Sequence, residues 1–350
     1  MSPNILSRLC RIFSLFVLCF TATAAATYAA PQCRLYVTDY RAASVRQMDC
    51  KTNQPLSSIT VGQQPFGIVA SPDGEYLYVA NYGSNSISVI NTDSNVPYYV
   101  SGVDGTGPIG VAISPDGTRL YVANFDSSSV SVLDVGSNTT PHVIGKIQFK
   151  DGSRPDNVAF SADGSVVYVA LWGTGQVAVI DAASANYQVV QMFNVGHSPS
   201  AFVVAPDGKR VYVTNEFGGP TPDAYNGSIS VIDSTNPTQN TVLAEWLLPY
   251  HTFPMQQSAL SANGRHLYVP GEGNASLFTI DVNDGTITDT ERIGVGPQAA
   301  AVSPDGARVF VSIGHQIATM ETGWNNVLPE VVLGTQNSWL LNIAIINKCP

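Results

Sequence analysis

His197, His251 and His315 are three of the five histidines in this 350-residue chain, and they can act together only if the fold gathers them. Imidazole binds divalent metals and also exchanges a proton near neutral pH. Their spacing has none of the local His-x-x-x-His rhythm that places two ligands on one helix face. Glu216 and Glu272 are the carboxylates that could join them, as further ligands or as general acid and base. Arg154, Gln256, Gln298, Trp172 and Tyr225 complete a candidate set of guanidinium, amide and aromatic groups. Such a mixture suits a polar organic or sugar-like ligand in a concave mouth.

The elements that must position these residues are written in a phrase repeated seven times: an aromatic, a valine, a small residue, then usually a polar one. It stands at Tyr36-Val37-Thr38-Asp39, Tyr78-Val79-Ala80-Asn81, Tyr121-Val122-Ala123-Asn124 and Tyr168-Val169-Ala170-Leu171. It returns at Tyr212-Val213-Thr214-Asn215, Tyr268-Val269-Pro270-Gly271 and Phe310-Val311-Ser312-Ile313. Successive copies are 42, 43, 47, 44, 56 and 42 residues apart. A period of about 40–50 residues made of short β-runs predicts a propeller with one sheet per repeat. Seven copies predict an all-β, seven-bladed β-propeller with four antiparallel strands per blade.

One repeat shows why. Phe66-Gly67-Ile68-Val69-Ala70 is a short apolar run suited to an inner strand. In Ser71-Pro72-Asp73-Gly74, proline presets φ for a turn and glycine accepts the positive φ that closes it. Tyr76 to Ala80 returns as a second strand, and Ile87-Ser88-Val89-Ile90 alternates as a third. The turn recurs six times against seven phrases. The missing copy is split between the chain ends, so the C-terminal strand should complete the N-terminal blade and close the ring.

Phrase, turn and period together resemble the YVTN-repeat family of seven-bladed β-propellers, over residues 33 to 349 as a single domain. Leu171, Gly271 and Ile313 at the asparagine position, and Phe310 for tyrosine, depart from its pattern. The resemblance implies an exported binding, surface or accessory protein. More distantly the repeats are similar to seven-bladed lactonases and to antibiotic-linearising lyase propellers.

The candidate residues follow from this topology. Loops leading into inner strands and loops joining second to third strands should emerge on one face. That places His197, His251, Gln256, Gln298 and Arg154 beside Trp172, Glu216, Tyr225, Glu272 and His315. The lengthened repeat carries its excess around residues 218–227, where a surface loop can serve as a lid or recognition element. Acids that recur in every blade, such as those of the Pro-Asp-Gly turns, are expected to cap turns.

Arg8 and Arg11, an apolar core from Ile12 to Phe20 and small residues through Ala26 read as a signal peptide over residues 1–26. The apolar core falls short of the ~20 residues that span a bilayer. A secreted or periplasmic protein without membrane insertion is expected. Cys10 and Cys19 would leave with the leader, and Cys33, Cys50 and Cys349 would remain. Aligning the repeats puts Cys349 and Cys33 at neighbouring turn positions, so a Cys33–Cys349 disulfide is expected with Cys50 free. Cys33–Cys50 is the competing pair.

The formal net charge of −10, with no Lys/Arg run, excludes nucleic acid as an expected partner. There is no Gly-x-Ser-x-Gly elbow, phosphate-binding loop, dinucleotide fingerprint or haem-attachment motif. The sequence favours a monomer that binds a small polar ligand or a protein partner at the mouth, with no resident cofactor. A lactonase-like or metal-assisted hydrolase is the enzymatic alternative, using a divalent metal on His197, His251 and His315. A third is an accessory subunit of a periplasmic oxidoreductase.

Overall fold

The computed structural model describes residues 32–101, 103–136, 141–218, 226–249, 252–254, 256–323 and 326–348. The proposed leader therefore lies outside the described residues, as do Tyr225, His251 and Cys349. Seven four-stranded antiparallel sheets form the blades of a ring. Counting from the N-terminus, the innermost strands of blades 2 to 5 are Pro65–Ala70, Pro108–Ile113, Pro155–Phe160 and His197–Val204. Blades 6 and 7 use Ala259–Leu260 and Pro297–Val302, and blade 1 uses the last strand, Leu340–Lys348.

Closure occurs as the split turn implied. Leu340–Lys348 pairs antiparallel with Gln32–Asp39, in a register that sets Gln32 against Lys348 and Val37 against Ile343. At its far end Asp39 Oδ1 accepts the backbone N–H of Trp339 (3.2 Å), and Tyr40 N–H donates to Trp339 O (2.9 Å).

The core lies between blades. Tyr36, Tyr121, Tyr168, Tyr212 and Phe310, the aromatics of the repeated phrase, are among the largest fully buried side chains. A buried tyrosine or phenylalanine per blade supplies large apolar area at each junction. The turns behave as their chemistry demands: Asp73 Oδ1 accepts Ser71 Oγ–H (2.5 Å) and Glu75 N–H (2.9 Å), while Gly74 has φ 72°. Acids ending the third strands also cap turns, as where Asp49 Oδ1 accepts the N–H groups of Lys51 and Thr52 (both 2.8 Å).

The last residue of the phrase has a specific partner. Asn81, Asn124 and Asn215 are wholly buried, and each amide donates to two serines of the adjoining third strand. The second of these is Ser88, Ser131 or Ser230, two residues beyond the cross-strand neighbour. In blade 1 the same two places hold an ion pair, Asp39 with Arg46 (3.0 Å). In blades 4, 6 and 7 they hold Leu171 with Ala178, Gly271 with Phe278, and Ile313 with Ala318. A polar residue is thus matched by a polar one, and a large residue by a small one.

The disulfide differs from expectation. Cys33 bonds Cys50, with Cα atoms 5.4 Å apart. Arg34 lies opposite Asp49, so the residues just outside that pair face each other across one hairpin, and Cys50 N–H donates to Cys33 O (3.1 Å). On its other side Cys33 lies opposite Asn347, two residues short of Cys349. The repeat alignment located the turn but not this register.

Blade 6 is irregular. Its innermost strand has two residues because the preceding segment leaves the sheet. Gln257 makes a parallel bridge to Ala299 of blade 7, and its side-chain oxygen accepts Ile343 N–H of blade 1 (3.1 Å).

Candidate functional site at the channel mouth

Three carboxyl groups gather where the inner strands open. Asp156 is the second residue of Pro155–Phe160, and Glu216 sits near the end of Arg210–Phe217. Glu272 follows His266–Gly271 in the next blade. Asp156 can approach its neighbour because position 110 is glycine: a Cβ there would lie 2.5 Å from the Asp156 carbonyl oxygen. Inner strands that converge on an axis leave no room for a side chain at such a crossing.

Burial governs the titration of all three. Asp156 touches the lumen but is enclosed by protein, which pushes its carboxyl well above the usual carboxylate range, and the neighbouring Glu216 charge adds to the rise. Glu216 is 8% exposed and is pushed up to about 7 by loss of solvent. A hydrogen bond from Trp172 opposes that rise, and the Glu272 charge adds to it. Glu272 is raised by burial, against a hydrogen bond from the buried Gln298 amide. A carboxylate titrating near neutrality can take a proton from water, and a neighbouring neutral acid can return one.

Aromatic rings stand on the loops of the same rim. Trp172 lies 5.8 Å from Phe125, and the Arg154 guanidinium sits over both rings, at 5.7 and 5.5 Å. Phe217 meets Phe253 at 5.8 Å, Tyr40 meets Trp339 at 5.6 Å, and Arg41 lies over Trp339 at 5.5 Å. Below the mouth is a channel cavity of about 290 Å³, lined by Asp156, Asn157, Gln256, Gln257 and Asn342 among apolar inner-strand residues. Asn342 Nδ2 reaches the Gln256 side-chain oxygen at 3.5 Å.

Of the candidate histidines, His251 lies outside the described residues, and His197 and His315 sit in different surroundings. His197 begins the inner strand of blade 5, is exposed and faces Phe217 across the pair. His315 is half-buried in a turn of blade 7, where its carbonyl accepts the N–H groups of Leu333 and Gly334. Among the described residues no group of three His, Cys, Asp or Glu side chains could hold a metal ion.

Asp156 is the residue that difference between repeats could have singled out. Four inner strands begin with proline and one further residue, Pro65-Phe66, Pro108-Ile109, Pro155-Asp156 and Pro297-Gln298, and a fifth carries Pro199-Ser200 as its third and fourth residues. Only one of these second residues is ionisable.

The family of seven-bladed β-propeller lactonases matches residues 21–304. Among solved structures, the periplasmic gluconolactonase PpgL of Pseudomonas aeruginosa is 20% identical with a TM-score of 0.74, covering 91% of this chain and 99% of its own. A putative 6-phosphogluconolactonase of Bacteroides fragilis is 16% identical with a TM-score of 0.73, covering 93% and 100%. Hydrazine synthase of Kuenenia stuttgartiensis is 23% identical with a TM-score of 0.65, covering 85% and 91%. At these identities the likeness is one of fold alone. No curated protein matches the chain.

Proposed function

The chain belongs to the family of seven-bladed β-propeller lactonases, and from that premise we propose that it opens a lactone ring at the channel mouth with Glu216 as general base. The observation that carries this reading is a buried carboxyl at about 7, held by Trp172 and flanked by two further acids. Glu216 carboxylate takes a proton from water as the water oxygen bonds to the lactone carbonyl carbon. The tetrahedral intermediate then collapses, the ring C–O bond breaks, and neutral Asp156 gives a proton to the departing alkoxide; the proton held by Glu216 then passes to Asp156 and restores both groups. Lactone and water thus give one hydroxy acid.

The rings of Phe125, Trp172 and Phe217 offer flat apolar surface to the C–H faces of a sugar-like ring, while Gln298 and Gln256 offer amides to its hydroxyls. In this reading the Arg154 guanidinium, stacked on Trp172 at the rim, meets the oxyanion of the intermediate. Export to an oxidising compartment belongs to the same reading and is supported by the Cys33–Cys50 disulfide.

The test is hydrolysis of glucono-1,5-lactone and other unphosphorylated aldonolactones, followed by acid release in weak buffer. Glu216→Gln should lower kcat by about 100-fold or more, within the ~10²–10⁴ that a general base contributes. Prior dialysis against a chelator should leave the rate unchanged. Equal rates for Glu216→Gln and the parent, or no turnover of any lactone, would overturn the reading; loss on chelation would shift the chemistry to a metal.

A further inference from the structure

On the face opposite the channel mouth, four arginines occupy one place in the repeat. Arg34, Arg119, Arg210 and Arg308 lie in the second strands of blades 1, 3, 5 and 7, opposite Asp49, Asp134, Asp233 and Glu321. Three of them clamp a blade junction. Arg34 donates to Thr92 O of blade 2 (3.5 Å), and Arg119 to Ala182 O of blade 4 (2.8 Å). Arg308 donates to Cys50 O and Lys51 O of blade 1 (2.9 and 2.8 Å).

Arg210 does not. The carbonyl in the corresponding place in blade 6 is that of Val282, which follows Asp281 as Ala182 follows Asp181. Among the described residues Arg210 donates no hydrogen bond across the junction, so its guanidinium is left to a cleft of about 560 Å³ that lies there. A comparable cleft of about 700 Å³ lies beside Arg308, whose guanidinium is already spent on Cys50 O and Lys51 O.

We propose that this cleft is a second ligand site, for a small organic carboxylate with an apolar body. The exposed Arg210 guanidinium offers the planar donor fork that matches a carboxylate, with Lys209 beside it. Leu243, Leu260 and Val282 form the apolar wall. Two acids also line the cleft, and each caps its own turn through one oxygen. The Thr235 hydrogen bonds, helped by the Arg210 charge, hold Asp233 below the usual carboxylate range, so an incoming carboxylate would share Arg210 with it. Asp207 Oδ1 accepts Lys209 N–H (3.0 Å), and Asp233 Oδ1 accepts the N–H and hydroxyl of Thr235 (3.0 and 2.7 Å). The volume falls within the ~300–1,000 Å³ of ordinary small-molecule sites. The site is separate from the carboxyl cluster and needs no lactone chemistry.

The test is calorimetric titration of the full chain with hexanoate, and with hexanol as the uncharged control. Hexanoate should bind saturably, and hexanol at least tenfold more weakly. Arg210→Gln should weaken hexanoate at least tenfold while leaving lactone hydrolysis unchanged. Leu243→Asp, in the outermost strand of the same blade, should weaken it by a separate route, and Arg154→Gln at the channel mouth should not. Absence of saturable hexanoate binding, equal affinity for hexanol, or a loss that follows Arg154 and spares Arg210 would each overturn the proposal.

Discussion

Phe278 occupies the space that a side chain at position 271 would need: a Cβ on Gly271 would lie 2.7 Å from the Phe278 ring. The pair replaces the asparagine and serine of Asn81–Ser88, Asn124–Ser131 and Asn215–Ser230. Restoring only the asparagine should therefore harm the protein. Gly271→Asn should destabilise by about 1–3 kcal/mol through overpacking. Phe278→Ser alone should cost about as much as other large-to-small core changes, ~3–5 kcal/mol. The double substitution should recover part of the loss, giving a favourable coupling of about 1 kcal/mol in a denaturation cycle. Strict additivity would mean that the two residues are not matched.

Glu216 also makes stability depend on pH. Its carboxyl rises from 4.5 to about 7 on folding, so between those values the folded chain holds a proton that the unfolded chain has released. Stability should then fall as pH rises through that window, by up to about 3 kcal/mol. Denaturant unfolding at pH 4.5 and pH 8 measures the slope, and Glu216→Gln should reduce it, leaving the part that Asp156 and Glu272 contribute in the same direction. An unchanged slope in that variant would place the pH dependence elsewhere.

Trp172 tunes this group. Its hydrogen bond to the Glu216 carboxylate holds the charged form down in energy, against the burial that raises it. Trp172→Phe keeps an aromatic ring and removes the donor. The acidic limb of the pH–rate profile should move to higher pH, by roughly one unit for a bond of typical strength. Loss of rate with the limb in place would indicate that the indole acts on substrate contacts alone.

The Cys33–Cys50 bond closes a loop of 17 residues. On chain-entropy grounds such a closure is worth about 3 kcal/mol. Cys50→Ser should lower stability by that order, and non-reducing peptide mapping should find the 33–50 link in the parent. A link from Cys33 to Cys349 would reverse the assignment.

Blade number, strand order and ring closure were legible because they rest on local chemistry repeated seven times: a turn that needs glycine, an aromatic that needs a junction. The disulfide was not. Turn alignment says which residues are near a corner, whereas pairing depends on a register fixed by a nine-residue last strand. Topology alone also put Glu216, Glu272, Gln298, Trp172 and Arg154 at one end of the barrel of inner strands. Ranking within that set by residue type favoured histidine, since imidazole titrates near neutrality unaided. What raises Glu216 is the withdrawal of water by surrounding blades, a tertiary effect that no short stretch encodes. The matched pairs were half visible: the asparagine stands in the phrase, but its serine lies across a loop of variable length.

The antiparallel seam between Gln32–Asp39 and Leu340–Lys348 also gives the ring a mechanical weak point. Gln32 and Lys348 leave the seam side by side, so tension applied between them would part it one hydrogen-bonded rung at a time rather than shear all rungs together. Cys33, one residue inside, is bolted to the neighbouring strand through Cys50. Force would therefore peel away the carboxyl-terminal strand first and leave the amino-terminal hairpin intact.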